Sequence, residues 1–281
     1  MKIYSLVIIS LLLLWNCSED KADEFPVLEY QELKNVEYGT HAQQKFDLYL
    51  PTGRTTETTN VIVMVHGGGW NGGDKTEIQN LVNLMRAEWP EAAIVNMNYR
   101  LATATEFKHP AQLGDIATVI NFIKARQSEY HISSRFALLG NSAGAHLSLL
   151  YAYTSDVNHD IKCVSDLYGP ASLHDWNWYS NIVIKALMEN YLGTTWAMNE
   201  SAYVNASPLE KITSASPPTI IFHGNLDIVV PLYQSQWLNA RLSDKGIRHE
   251  YYEYSLDGHG FNDSNNQDCI RKTVSFFKSN M

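Results

Sequence analysis

The sequence predicts an α/β fold with a mostly parallel central sheet and helices on both faces. Three observations predict it. Several short apolar runs, such as 60–65 (NVIVMV), are continuous and not alternating, as strands covered on both faces require. These runs alternate with longer segments whose apolar residues recur at helical spacing. Glycine-rich turns, HGGGWNGGD at 66–74 and GNSAG at 140–144, stand directly after two of the strands. At 281 residues, 45% of them hydrophobic, the chain can bury one large core.

Taken in order, residues 1–17 read as a signal segment. Lys2 precedes an apolar stretch over 3–15 that is too short for a comfortable transmembrane helix. Cys17 follows, in the position of the lipidated first residue of a bacterial lipoprotein, although Trp15 and Asn16 depart from the small residues usual before it. The acidic linker 18–25 resembles the surface-export tail of some Gram-negative lipoproteins. The expectation is an exported protein, periplasmic or anchored at the cell surface through Cys17. The domain proper is then 26–281. Strands are expected at 44–50 (closed by Pro51), 60–65, 92–99, 135–139, 161–168, 219–223 and 249–254. Helices are expected at 76–89 (Ile78, Leu81, Val82 and Met85 on one face), 111–130 (Leu113, Ile116, Ile120, Ile123), 143–153, 231–245 and 269–278. The stretch 172–201 breaks the rhythm. It carries Trp176, Trp178, Tyr179, Tyr191 and Trp196 with no clear strand, and reads as an aromatic insertion, a candidate cap.

A formal net charge of −9 and the absence of any basic stripe argue against nucleic acid as a partner. No H-e-x-x-H and no paired cysteine spacing occurs, so neither a metal site nor a cofactor is expected. Cys163 and Cys269 are open to two readings, a disulfide or buried thiols.

The glycine-rich loop 66–74 is ambiguous on its own. Gly67, Gly69 and Gly72 satisfy the dinucleotide pattern, with Glu88 about twenty residues on. But Glu88 ends a helix, and the next strand ends without an acid. A phosphate loop would need Lys directly after Gly73. The second glycine turn decides the matter. G140-x-S142-x-G144 at a strand-to-helix junction is a nucleophile elbow, where the residues flanking the serine by two must be small. A serine needs a base, and the base an orienting carboxylate, in the order Ser, Asp or Glu, His. Asp227 follows the strand 219–223, and His259 stands between Gly258 and Gly260 after the strand 249–254. The rivals are assigned other tasks: Asp257 caps a turn, His223 ties loops, His146 faces the packed sheet and His249 faces solvent. With this set downstream, HGGG reads as an oxyanion loop, its N–H groups joined by that of Ala143.

His66-Gly67-Gly68-Gly69-Trp70, Asn98-Tyr99-Arg100-Leu101, His109-Pro110 with Asp115, Gly140 to Gly144, Tyr168-Gly169-Pro170, His223-Gly224 with Asp227, and Gly258-His259-Gly260-Phe261 occur in one order over residues 66–261. This set resembles the α/β-hydrolase superfamily, specifically the HGGG esterases related to hormone-sensitive lipase, and most resembles the bacterial bifunctional feruloyl and acetyl esterase group. The resemblance implies an α/β-hydrolase fold, a triad of Ser142, Asp227 and His259, and an oxyanion hole of Gly68, Gly69 and Ala143. It also implies that Tyr99-Arg100 and Asp115 form a buried charge pair tying the oxyanion loop to the sheet. The expected activity is a serine carboxylesterase acting on small acyl or aryl esters, such as acetyl or feruloyl groups of plant polysaccharide. An aryl-formamidase-like amidase is a second enzyme reading and a dipeptidyl-peptidase-like exopeptidase a third; the non-enzyme reading is a non-catalytic surface binding protein on the same scaffold. Trp176, Trp178 and Tyr179 suit either stacking on a sugar or aryl ring or packing of the insertion.

Overall fold

The computed structural model describes residues 27–281. The signal segment and the Cys17 anchor site lie outside the described residues. Among those described, β1 (Gln31–Glu37), β2 (Lys45–Leu50), β3 (Val61–Val65), β4 (Ala93–Met97), β5 (Phe136–Asn141), β6 (Ile161–Leu167), β7 (Thr219–Gly224) and β8 (His249–Tyr254) form one sheet in the order β1-β2-β4-β3-β5-β6-β7-β8. The two pairings β1–β2 and β2–β4 are antiparallel and the remainder parallel. β3, β4 and the first five residues of β5 are wholly buried, which is why they read as apolar runs, interrupted in β4 by the buried Asn96.

Helices α1 (Gln79–Glu88) and α9 (Asp263–Lys278) cover one face, packing Val82, Met85, Ile270 and Phe277 on Ile62, Ile94 and Leu139. On the other face lie α2 (Ala111–Lys124), α4 (Ala143–Thr154) and α8 (Tyr233–Asp244), packing Ile116, Leu147 and Leu238 on Val63, Val95 and Leu138. The insertion folds as three helices, α5 (Trp176–Tyr179), α6 (Ile182–Leu192) and α7 (Glu200–Asn205), joined to this second core through Trp178, Met188, Tyr191 and Tyr203.

The fold is an α/β-hydrolase fold, as expected, with three local differences. β1 was not foreseen: it is an edge strand, mostly exposed, whose sequence QELKNVE lacks apolar alternation. The helix expected over 111–130 is two pieces, α2 and the single turn α3 (Gln127–Tyr130). α9 begins six residues before the expected Cys269. Asn262 caps it by accepting the Asn265 N–H, and its first turn is polar and carries no period. Cys163 and Cys269 are both buried free thiols.

Candidate active site

Ser142 stands between β5 and α4 with φ 52° and ψ −123°, a conformation that costs a residue with a side chain on the order of 1–3 kcal/mol. Its neighbours are glycines for steric reasons. A Cβ on Gly140 would lie 2.4 Å from the backbone of Gly144, and one on Gly144 would lie 2.1 Å from the Val65 carbonyl oxygen. The Ser142 N–H donates to Leu167 O at 2.9 Å, pinning the turn to β6. The hydroxyl is thereby raised above the carboxyl ends of the strands, where sites form in sheets of this kind.

Asp227 and His259 come from the loops after β7 and β8. A Cβ on Gly224 would meet the Asp257 and Gly258 carbonyl oxygens at 2.4 Å, so glycine lets these two loops close on each other. Asp227 Oδ1 accepts the backbone N–H of Val229 (2.8 Å) and Val230 (2.9 Å). Its Oδ2 accepts His259 Nδ1–H at 2.8 Å, leaving His259 Nε2 to accept the Ser142 hydroxyl at 2.8 Å. Burial opposes the charge on Asp227. Hydrogen bonds from His223, His259 and the Val229 N–H outweigh it and hold the carboxyl well below the usual carboxylate range. An ionised Asp227 favours the Nδ1–H tautomer of His259, the form whose Nε2 can take a proton.

The rivals are placed too. His223 Nε2–H donates to Val230 O at 2.9 Å, and its Nδ1 lies 2.6 Å from Ser235 Oγ, a loop-tying role. Asp257 accepts the side-chain amides of Asn262 and Asn265 beside the start of α9. His249 is half-buried, not fully solvated, and pairs with Ser243. His146, expected against the sheet, is turned instead toward Trp70 and the Ala206 carbonyl.

Gly68 and Gly69 adopt φ of 108° and 56°, and a Cβ on Gly68 would sit 2.3 Å from Gly72 O. Tyr99 is fully buried; its hydroxyl donates toward His66 O (3.1 Å) and Gly67 O (3.2 Å). The His66 ring stacks on Tyr99 and donates Nδ1–H to Gly67 O, so it fixes the loop. Arg100 and buried Asp115 pair at 2.8 Å, and Asp115 also accepts Gln44 Nε2, fastening the chain after β4 to α2. Among the described residues no internal acceptor takes the N–H of Gly68 or Gly69. The Ala143 N–H is the orphan donor at the first position of α4.

These groups open onto a pocket of about 310 Å³ lined by Gly67 to Trp70, Ser142, Ala143 and His259. Its other wall is apolar, from Pro170, Trp178, Ile184, Leu187, Val229 and Val230, with Glu77 and Tyr168 adding polar atoms. The insertion is therefore a cap over the site. Of its aromatics, Trp178 reaches the pocket and donates Nε1–H to Val229 O at 2.8 Å. Tyr179 is buried with its hydroxyl on Glu189, and Trp176 is 60% exposed outside the lining. Ile184, Leu187 and Glu77 were not singled out from sequence; nothing in their spacing relates them to the elbow. Among the described residues no cluster of three metal-ligating side chains occurs, and no helix is long and apolar enough to cross a membrane.

The pattern of the BD-FAE family matches residues 46–242. Esterase LipC of Mycobacterium tuberculosis is 26% identical over 249 residues, 83% of this chain and 60% of that protein. The chain spans about half the length of the curated relatives it matches. Among solved structures, a bifunctional GH43-CE of Bacteroides eggerthii superposes with a TM-score of 0.77 at 23% identity, over 89% of this chain and 38% of that one. A truncated carbohydrate esterase from gut microbiota gives 0.74 at 20% identity, over 88% and 96%. These likenesses are of fold.

Proposed function

Because this chain belongs to the BD-FAE family, α/β-hydrolases related to bacterial bifunctional feruloyl/acetyl-esterase-like carbohydrate esterases, we propose that it is a serine carboxylesterase of small acyl or aryl esters. The observation that carries the proposal is the unbroken hydrogen-bonded chain from Ser142 through His259 to Asp227, open to the pocket. Ser142 Oγ attacks the ester carbonyl carbon while His259 Nε2 takes its proton. The carbonyl oxygen becomes an oxyanion, received by the N–H groups of Gly68, Gly69 and Ala143. Collapse expels the alcohol, which takes the proton from His259. Water then gives its proton to His259 and attacks the acyl-serine. Collapse releases the acid, and the departing Ser142 Oγ takes the proton back from His259. Asp227 keeps its charge throughout and stabilises the transient imidazolium.

An apolar wall built in part from the cap supports acyl groups with methyl or aryl character, and kinship to feruloyl/acetyl-esterase-like carbohydrate esterases suggests acetyl or feruloyl groups on polysaccharide. Export through the segment 1–17, with Cys17 as a lipid anchor, is the localisation that fits such a substrate. No cofactor is needed for the steps above. The test is hydrolysis of p-nitrophenyl acetate and butyrate by wild type and Ser142→Ala, with a loss of roughly 10⁴–10⁶ in kcat expected. Unchanged turnover in the variant removes the assignment. A panel of methyl ferulate, acetylated xylan and N-formylkynurenine follows, and preference for the last would make the protein an arylformamidase. Mass spectrometry of the mature N-terminus reads acylation of Cys17 directly.

A further inference from the structure

Trp70 follows Gly69 directly, is 3% exposed, and has a left-handed backbone (φ 64°) that a residue with a side chain rarely adopts. Such a residue persists only where its surroundings over-determine it. Three contacts do so. The Trp70 carbonyl accepts the Ala102 N–H at 2.8 Å. Its ring stacks on Tyr191 of α6, centroids 4.7 Å apart and planes within 16°. Its indole Nε1–H donates to His146 Nδ1 at 3.1 Å. Only the third reaches α4, the helix that carries Ala143 and begins at the elbow.

His146 is built to receive that bond. It lies four residues after Ser142 and donates its own N–H to Ser142 O at 3.1 Å. An indole nitrogen is only a donor, so His146 Nδ1 must hold a lone pair and Nε2 the proton. Nε2 donates to Ala206 O at 2.8 Å, at the end of α7, which sets that tautomer. The side chain is fully buried, and burial pushes its pKa down to about 3, keeping the ring neutral at any working pH. The His146 ring also meets the Trp70 ring edge-on, centroids 5.2 Å apart, and the hydrogen bond adds a set distance and direction to that packing.

We propose that His146 is a positioning residue for the oxyanion. By accepting the Trp70 indole N–H, it keeps the N–H groups of Gly68 and Gly69 in register with that of Ala143. The proposal rests on the esterase reading above. Slippage of an oxyanion donor costs transition-state binding and not ground-state binding, so its mark is on kcat.

The experiment compares wild type with His146→Leu, His146→Gln, Trp70→Phe and the Leu–Phe double variant. Each is assayed on p-nitrophenyl acetate and for inhibition by an aryl trifluoromethyl ketone, which binds as an oxyanion adduct. His146→Leu is expected to lower kcat about 10- to 100-fold, to weaken the ketone by the same factor and to leave KM within about twofold. His146→Gln, whose amide can accept from the indole and donate to Ala206 O, should recover most of the loss. Trp70→Phe should match His146→Leu, and the double variant should lose no more than either. Losses that multiply in the double variant, or a lowered Tm with wild-type kcat and ketone affinity, overturn the proposal. Should His146→Leu not fold, the Gln and Phe variants still give the comparison: equal ketone affinity in Trp70→Phe and wild type overturns it. Absence of ester turnover in wild type would remove the esterase reading and this proposal together, whereas wild-type turnover indifferent to these variants removes this one alone.

Discussion

Replacing Asp227 by Asn changes one atom and should nearly abolish turnover. Oδ1 accepts two backbone N–H groups, from Val229 and Val230, so the amide oxygen must occupy that position. The amide nitrogen then faces His259 Nδ1, where an acceptor stood at 2.8 Å, and also lies near His223 Nε2, 3.2 Å from Oδ2 in the native protein. His223 Nε2–H also donates to Val230 O, so that ring keeps its proton on Nε2 and cannot turn an acceptor toward the new amide. His259 can adapt only by moving its proton to Nε2, which points it at Ser142 Oγ. No lone pair then remains to receive the serine proton. Loss of the correct tautomer costs about 10⁴ in kcat, or about 5.5 kcal/mol of transition-state stabilisation. The assay is kcat and KM on p-nitrophenyl acetate near neutral pH, with thermal unfolding to show that the variant is folded. Asp257→Asn is the companion: that carboxylate serves amides at the start of α9, and its loss should leave kcat within about tenfold. A folded Asp227→Asn enzyme within tenfold of wild-type kcat would refute the orienting role.

Three further outcomes are expected. Gly68→Ala puts a Cβ 2.3 Å from Gly72 O at φ 108°, so the loop must shift; kcat should fall about 10²–10³-fold while the rate in Ser142→Ala background stays unaffected. Burial pushes the Asp166 carboxyl up to about 7 from its ordinary 3.8. With the folded pKa above the unfolded one, the unfolded chain loses its proton first, so stability falls as pH rises between those values, by up to about 1.4 kcal/mol per pH unit. Asp166→Asn keeps an acceptor for the Gly169 N–H and should gain Tm relative to wild type at pH 8 but not at pH 4; parallel Tm profiles would contradict this. Cys163 and Cys269 are buried with their thiols pushed up by desolvation, and should react with a thiol reagent only after denaturation.

How much of this was legible in the sequence follows from how each feature is physically encoded. β3, β4, β5 and β7 announce themselves because strands covered on both faces must be largely apolar. The elbow announces itself because close approach excludes any side chain at Gly140 and Gly144. β1 does not, since an exposed edge strand is selected for charge. The cap announces its place but not its docking: which of Trp176, Trp178 and Tyr179 faces the site depends on how α5 docks on the loop carrying Val229, and no spacing within the sequence contains that docking.

The glycines of HGGGWNGGD show where the encoding is degenerate. Dinucleotide loops and oxyanion loops both need backbone brought close to a ligand, so both select glycine, and counting glycines cannot separate them. What separates them is the direction in which the loop is braced. Here Gly73, at φ 92°, lies where a Cβ would meet Gly67 O at 2.5 Å, and the His66 and Gly67 carbonyls are taken up by Tyr99 and His66. With its carbonyls bound inward, the loop has the N–H groups of Gly68 and Gly69 without an internal acceptor among the described residues, beside a pocket that Ser142 also lines. Trp70 then looks like an ordinary core residue in the sequence, and His146 like an ordinary helix residue. Their hydrogen bond joins positions 76 residues apart, and only the folded chain shows that the tryptophan after the glycines and the histidine after the elbow answer each other.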